Sequence, residues 1–170
     1  MLKTRLLEFV LIALLSAMVI ASSTIYLIFF MLTILTISFK FRLVLPISLI
    51  TAVLNWLIFM QSTALIVNIV AWPLFVSILK ILTLKLKVST AVERPKSPYL
   101  FLTTFLLIGL VNLGGVLFNT WFLATPFQEM LNSLWFYALH TILNALLVFF
   151  LAYYFKKRLA DLGAKMGVMV

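Results

Sequence analysis

The chain has 170 residues, enough for one domain; it is 65% hydrophobic and only 10% charged. With no cysteine, one histidine and four acidic residues, it excludes thiolate chemistry, disulfides and iron–sulfur clusters and argues against a carboxylate-rich metal site, so no cofactor is expected. The formal net charge of +9 reads as the basic ends of a membrane protein rather than as a nucleic-acid surface.

Several apolar runs approach or exceed the ~18 residues of a membrane span, and none alternates as a barrel strand does. The expectation is an all-α membrane protein: a six-transmembrane-helix bundle forming a single integral domain over 1–170. The first span is 6–22. Its basic start and apolar run resemble a signal peptide, but the rest of the chain is equally apolar, which favours a retained helix. Ser22, Ser23 and Thr24 are the one set of consecutive polar residues in the largely apolar run over 6–39. One helix of that length would be ~50 Å long against a hydrocarbon core of ~30 Å, so a tight turn is predicted there and a second span at 24–39. Spans three to six follow at 43–60, 64–82, 99–124 and 133–155, with Pro46 and Pro73 as tolerated kinks or turn starters. Between spans four and five, the basic segment 83–99 with Pro95 and Pro98 reads either as a solvated linker near anionic head groups or as a docking surface. The tail over 160–170 reads as frayed.

The basic residues fix the sidedness. With six spans and a cytoplasmic N-terminus, Lys3, Arg5, Lys40, Arg42, Lys85, Lys87, Arg94, Lys96, Lys156, Lys157, Arg158 and Lys165 all fall in cytoplasmic segments. The remaining base, Lys80, is close enough to snorkel to the same surface. Merging the first two spans would strand Lys40 and Arg42 on the wrong side, so the positive-inside rule requires the turn and places both termini in the cytoplasm. Glu8 reads as an N-terminal carboxylate within reach of Lys3 or Arg5.

On the first helix Ala13, Ala17 and Ala21 recur every four residues, a small-residue stripe along one face. It suits close approach of another helix, either inside this bundle or from a second membrane protein. The polar residues concentrate in the outer half: Asn55, Trp56 and Gln61; Asn68 and Trp72; Asn119 and Trp121; Gln128, Glu129 and Asn132 in the last outer loop; then Ser133, Trp135, Tyr137, His140 and Asn144. Asn112, near the middle of the fifth span, reads as helix glue. The tryptophans fit an interfacial belt. The amides fit either interhelical hydrogen bonds or an outward-opening pocket, because an intramembrane Asn or His needs a partner or a wet cavity. Glu129, the one outer acid, reads as a solvated loop charge or as a partner for a cationic ligand group.

No pair of acids lies in the spans and no glycine-framed serine accompanies His140, so no enzyme is expected. No polar path continues to the inner side, as a channel would need, and no inverted repeat marks a secondary transporter. An outward site over an apolar inner half needs a partner to drive transport. In size, topology and cytoplasmic termini the whole chain resembles the S-components of energy-coupling factor (ECF) transporters, small six-helix proteins that capture a vitamin or related micronutrient. The local signature is RLLEFVLIALLSAM, in which Ala13 and Ala17 match the family's AxxxA motif on helix 1.

The resemblance implies that Ala13 and Ala17, with Ala21, contact a membrane coupling subunit driven by two cytoplasmic ATPases, in a bacterial plasma membrane. It also implies a vitamin ligand among the outer ends of helices 4 to 6 and the outer loops. The candidate substrate-binding residues are then Asn55, Trp56, Asn68, Trp72, Asn119, Trp121, Gln128, Glu129, Trp135, Tyr137, His140 and Asn144. Short outer loops favour an open pocket and a bulky ligand such as a cobalamin, and the absence of an N-terminal His-rich hook argues against a nickel or cobalt member. The alternative is a non-transporting membrane scaffold of the cell-shape MreD type, similar in size and hydropathy, in which the outer polar residues only join helices.

Overall fold

The computed structural model describes residues 2–24, 26–59, 62–85, 93–122 and 126–166. The protein is all-α. Its helices are α1 (Leu2–Ser23), α2 (Ile28–Ser38), α3 (Phe41–Phe59), α4 (Ser62–Lys85), α5 (Pro98–Phe122) and α6 (Phe127–Met166). Five of these, all but α2, are long and apolar enough to cross a membrane, which makes the chain a multi-pass membrane protein. Gln61 and most of the segment between α4 and α5 lie outside the described residues.

The second span differs from its expected form. α2 has 11 residues, ~16 Å of helix at 1.5 Å per residue, about half the hydrocarbon thickness. The residues that signal the turn stay with α1. Ser22, Ser23 and Thr24 each donate a side-chain hydrogen bond back to the carbonyl three residues earlier, at 2.6, 2.6 and 2.7 Å, which satisfies the hydroxyls without leaving the helix. The reversal follows them. Tyr26 has φ 59°, a left-handed conformation unusual for a bulky residue. The amides of Tyr26 and Leu27 donate to the carbonyls of Ser23 and Ser22 at 3.0 and 2.9 Å.

α2 is the centre of the bundle. Ten of its eleven residues are buried, Met31 being the exception. It packs against α1, α3, α4 and α6, while the outer helices meet chiefly in the order α1–α3–α4–α5–α6. The main core joins Phe29, Leu32, Leu35 and Phe39 of α2 and its end to Val44 and Ile47 of α3, Phe75, Val76 and Leu79 of α4, and Ile108 of α5. A second cluster joins Phe30 and Ile34 to Leu100, Val148 and Ala152.

Polar groups from distant helices finish both ends of α2. At its C-terminal end, Lys80 of α4 donates to the carbonyls of Thr36 and Phe39 at 3.0 and 2.9 Å, carbonyls that the end of a helix leaves short of partners. Lys80 therefore turns into the bundle instead of snorkelling to the surface. At the N-terminal end, Asn144 of α6 accepts from the amide of Phe30 at 2.8 Å. Glu8 pairs with Arg42 at the start of α3 rather than with Arg5, and the Lys3 side chain lies outside the described residues. Residues 8, 42 and 80 therefore share one end of the bundle, as the charge count requires.

Local chemistry sets the other boundaries. α5 opens on Ser97, whose Oγ accepts from the amide of Leu100 at 3.3 Å, with Pro98 in the first helical position. α6 starts six residues earlier than expected and its backbone stays helical through Met166, so that part of the tail is helix and not frayed. At 40 residues it is ~60 Å long and projects past the hydrocarbon core at its basic end.

Candidate functional site

The N-terminal end of α2, opposite Lys80, is where most of the expected site residues meet. Tyr26 contributes its backbone there. Its carbonyl accepts from Asn144 Nδ2 at 2.9 Å and also pairs with His140 Nε2. These two bonds hold the left-handed turn against α6. The His140 ring packs edge-on against the Tyr26 ring, at 5.7 Å between centroids, and lies near Phe29 and Phe136. Because Nε2 faces a carbonyl, it carries the proton, and Nδ1 is a bare acceptor. That atom is buried and has no hydrogen-bond partner.

Two adjoining cavities flank this point. The first, about 160 Å3, lies among α2, α4, α5 and α6 and takes its polar lining from Asn68, Asn112, Asn119, Tyr137 and His140. The second, about 220 Å3, lies under the α1–α2 turn and is lined by Ser23, Thr24, Tyr26 and Asn55. Ile28, Trp72 and His140 border both. Trp72 is buried, at 5% exposure, and is the indole of the site. Among the described residues, no charged side chain lines either cavity. Toward the basic end, Leu32, Leu35 and Phe39 meet Phe75, Val76 and Leu79 in the packed core, which closes the cavities on that side.

The structure thus brings together Asn55, Asn68, Trp72, Asn119, Tyr137 and His140. It does not bring the other six to these cavities. Trp121 and Trp135 are 84% and 74% exposed, outward-facing positions that fit an interfacial belt. Gln128 and Glu129 are exposed on the first turn of α6, so Glu129 is not a cavity charge. Trp56 is half-buried away from the cavities. Asn144 is fully buried and occupied by the Phe30 amide and by the carbonyls of Tyr26 and His140, a packing role. Asn112 both lines the first cavity and donates to Thr141 Oγ1 at 2.9 Å, joining α5 to α6.

Sequence reasoning missed Tyr26, Ile28 and Phe29. Tyr26 acts through a carbonyl, which every residue has, and the other two are apolar like their neighbours, so no signal in composition marks them. No protein-family model, curated protein or solved structure matches the chain. The reading of the site rests on its geometry.

The alanine stripe lies elsewhere. Ala13, Ala17 and Ala21 are all exposed, while Leu15, Ser16, Val19, Ile20 and Ser22 form the buried face of α1. The stripe is not packed inside this bundle. Exposed Phe9, Val10, Leu14 and Met18 flank it.

Proposed function

We propose that the protein is the membrane-embedded capture subunit of an ECF-type importer in a bacterial plasma membrane. It binds a vitamin or related micronutrient in an outward-facing site and performs no catalysis of its own. A membrane coupling subunit and two cytoplasmic ATPases drive the ligand inward. The observation that carries this reading is the pair of adjoining cavities around Trp72 and His140, at the end of the bundle opposite the basic residues and closed below by the core. A few polar groups on an apolar wall is the usual make-up of a small-molecule site. The outward alanine stripe supports a docking face for the coupling subunit, since small residues allow close helix approach. Each cavity is smaller than the ~300–1,000 Å3 of drug-sized sites, which argues against a cobalamin.

The test is to purify the protein in mild detergent, denature it, and examine the supernatant by mass spectrometry and absorbance. A stoichiometric micronutrient, and co-purification with an ATPase module, are the expected results. Neither ligand nor module would leave the scaffold reading, in which the amides only join helices.

A further inference from the structure

Between α4 and α5 an apolar groove of about 470 Å3 runs along the bundle. Val70, Leu74, Leu110 and Gly114 line it. Val67, Val111 and Gly115 border both the groove and the polar cavity, so the two adjoin. Gly115 keeps the junction open: a Cβ added there would stand 3.8 Å from Val67 Cγ1, and any larger side chain would narrow the passage.

We propose that the ligand is a neutral amphiphile that enters from the bilayer between α4 and α5, placing its apolar chain in the groove and its uncharged head in the polar cavity. This rests on the capture reading above and names its substrate class. The chain follows from the groove's place and length. Its lining on α4 runs from residue 67 to residue 78, ~16 Å of helix and about half the hydrocarbon thickness, which is the depth of one leaflet.

The head follows from the cavity's chemistry. Asn68, Asn112, Tyr137 and His140 offer donors and acceptors, and no described lining side chain is charged. A phosphate, carboxylate or ammonium would be buried there unpaired, which is heavily disfavoured. A hydroxyl or amide head is not penalised in this way. His140 and Tyr137 add an imidazole and a phenol to the amides of that lining, neutral polar groups suited to an uncharged head.

The experiment photolabels the full chain in phosphatidylcholine nanodiscs with a monoacylglycerol that carries a diazirine in its chain. Labelling is expected at Val70, Leu74 and Leu110. Unlabelled monoacylglycerol displaces it, and an ionised fatty acid of the same chain length does so about tenfold less well. Gly114→Leu fills the groove without touching the cavity, since a Cβ there meets nothing within 4 Å. That variant loses the displaceable labelling, and His140→Ala weakens monoacylglycerol binding about tenfold. Equal competition by every lipid would show ordinary bilayer chains in the groove and overturn the proposal. A water-soluble ligand bound equally by the parent and Gly114→Leu proteins would overturn the amphiphile and leave the capture reading standing. Absence of both a soluble ligand and displaceable labelling would overturn both.

Discussion

The side-chain amide of Asn144 caps the helix that begins beside Phe30. Its Oδ1 accepts from the Phe30 amide at 2.8 Å across 114 residues of sequence, the bond that a capping side chain next to the helix usually makes. Leu27, in the local capping position, has no side-chain acceptor to offer. Asn144→Leu keeps the bulk and leaves the Phe30 amide buried and unpaired, which costs ~1–3 kcal/mol. Asn112→Leu removes an ordinary interhelical contact, worth ~0.6 kcal/mol. Thermal unfolding in detergent compares the two variants. Equal midpoints would mean that the capping bond contributes nothing beyond glue.

Lys80 gives the matching prediction at the other end of α2. Its ammonium bonds two carbonyls, those of Thr36 and Phe39. Lys80→Met keeps the stem and removes those bonds, with a loss of roughly 1.5–3 kcal/mol for hydrogen bonds to a charged group. Lys157→Met, on an exposed position of α6, stays within ~0.5 kcal/mol. The check is chemical denaturation, with hydrogen exchange read at the last turn of α2. A lysine that merely snorkels to the lipid surface would make both substitutions neutral.

These two caps show what was legible in the sequence. Run length and charge located the five long helices and demanded a reversal near residue 24, because apolar length and basic sidedness are properties of composition. The central place of α2 was not legible. A lipid-facing helix and a buried one look alike when both are largely apolar, and the only polar residues of α2, Thr33, Thr36 and Ser38, are small hydroxyls that suit either setting. Tyr137, His140 and Asn144 stand three and four residues apart, a spacing that puts them on one helix face. The division of that face was not legible: Tyr137 and His140 face a cavity, whereas Asn144 is consumed by α2. That outcome depends on where a residue 114 positions away arrives. The same gap separates Trp72, which is buried at the cavities, from Trp121 and Trp135, which face outward.

The Glu8–Arg42 pair predicts topology more than stability. The Arg42 side chain is 67% exposed and that of Glu8 22%, so a double-mutant cycle should give ~0.2–1 kcal/mol, decreasing with salt. The geometry is the stronger test, because the chain has no cysteine of its own. Single cysteines at Glu8 and Arg42 should react with a membrane-impermeant maleimide from the same face of a sealed vesicle. A cysteine at Thr24 should react from the opposite face. Labelling of positions 8 and 42 from opposite faces would mean that α2 does not return the chain.

The outward alanine stripe separates partner docking from internal packing. Ala13 and Ala17 are exposed on α1, whereas Val19, on its buried face, has 0% exposure. Ala13→Trp and Ala17→Trp should therefore leave the isolated protein within ~0.5 kcal/mol of its parent. Val19→Trp overpacks the core and costs ~1–3 kcal/mol. Ligand retention should follow the same division, since neither alanine borders the cavities. A coupling subunit that lies along the stripe would meet an indole where it needs a smooth surface, so uptake in cells and co-purification with the ATPase module should both fail. Stability and binding are measured in detergent, and uptake in cells that express the whole system. Stability losses matching Val19→Trp would return the stripe to internal packing; unchanged uptake would leave it facing lipid alone.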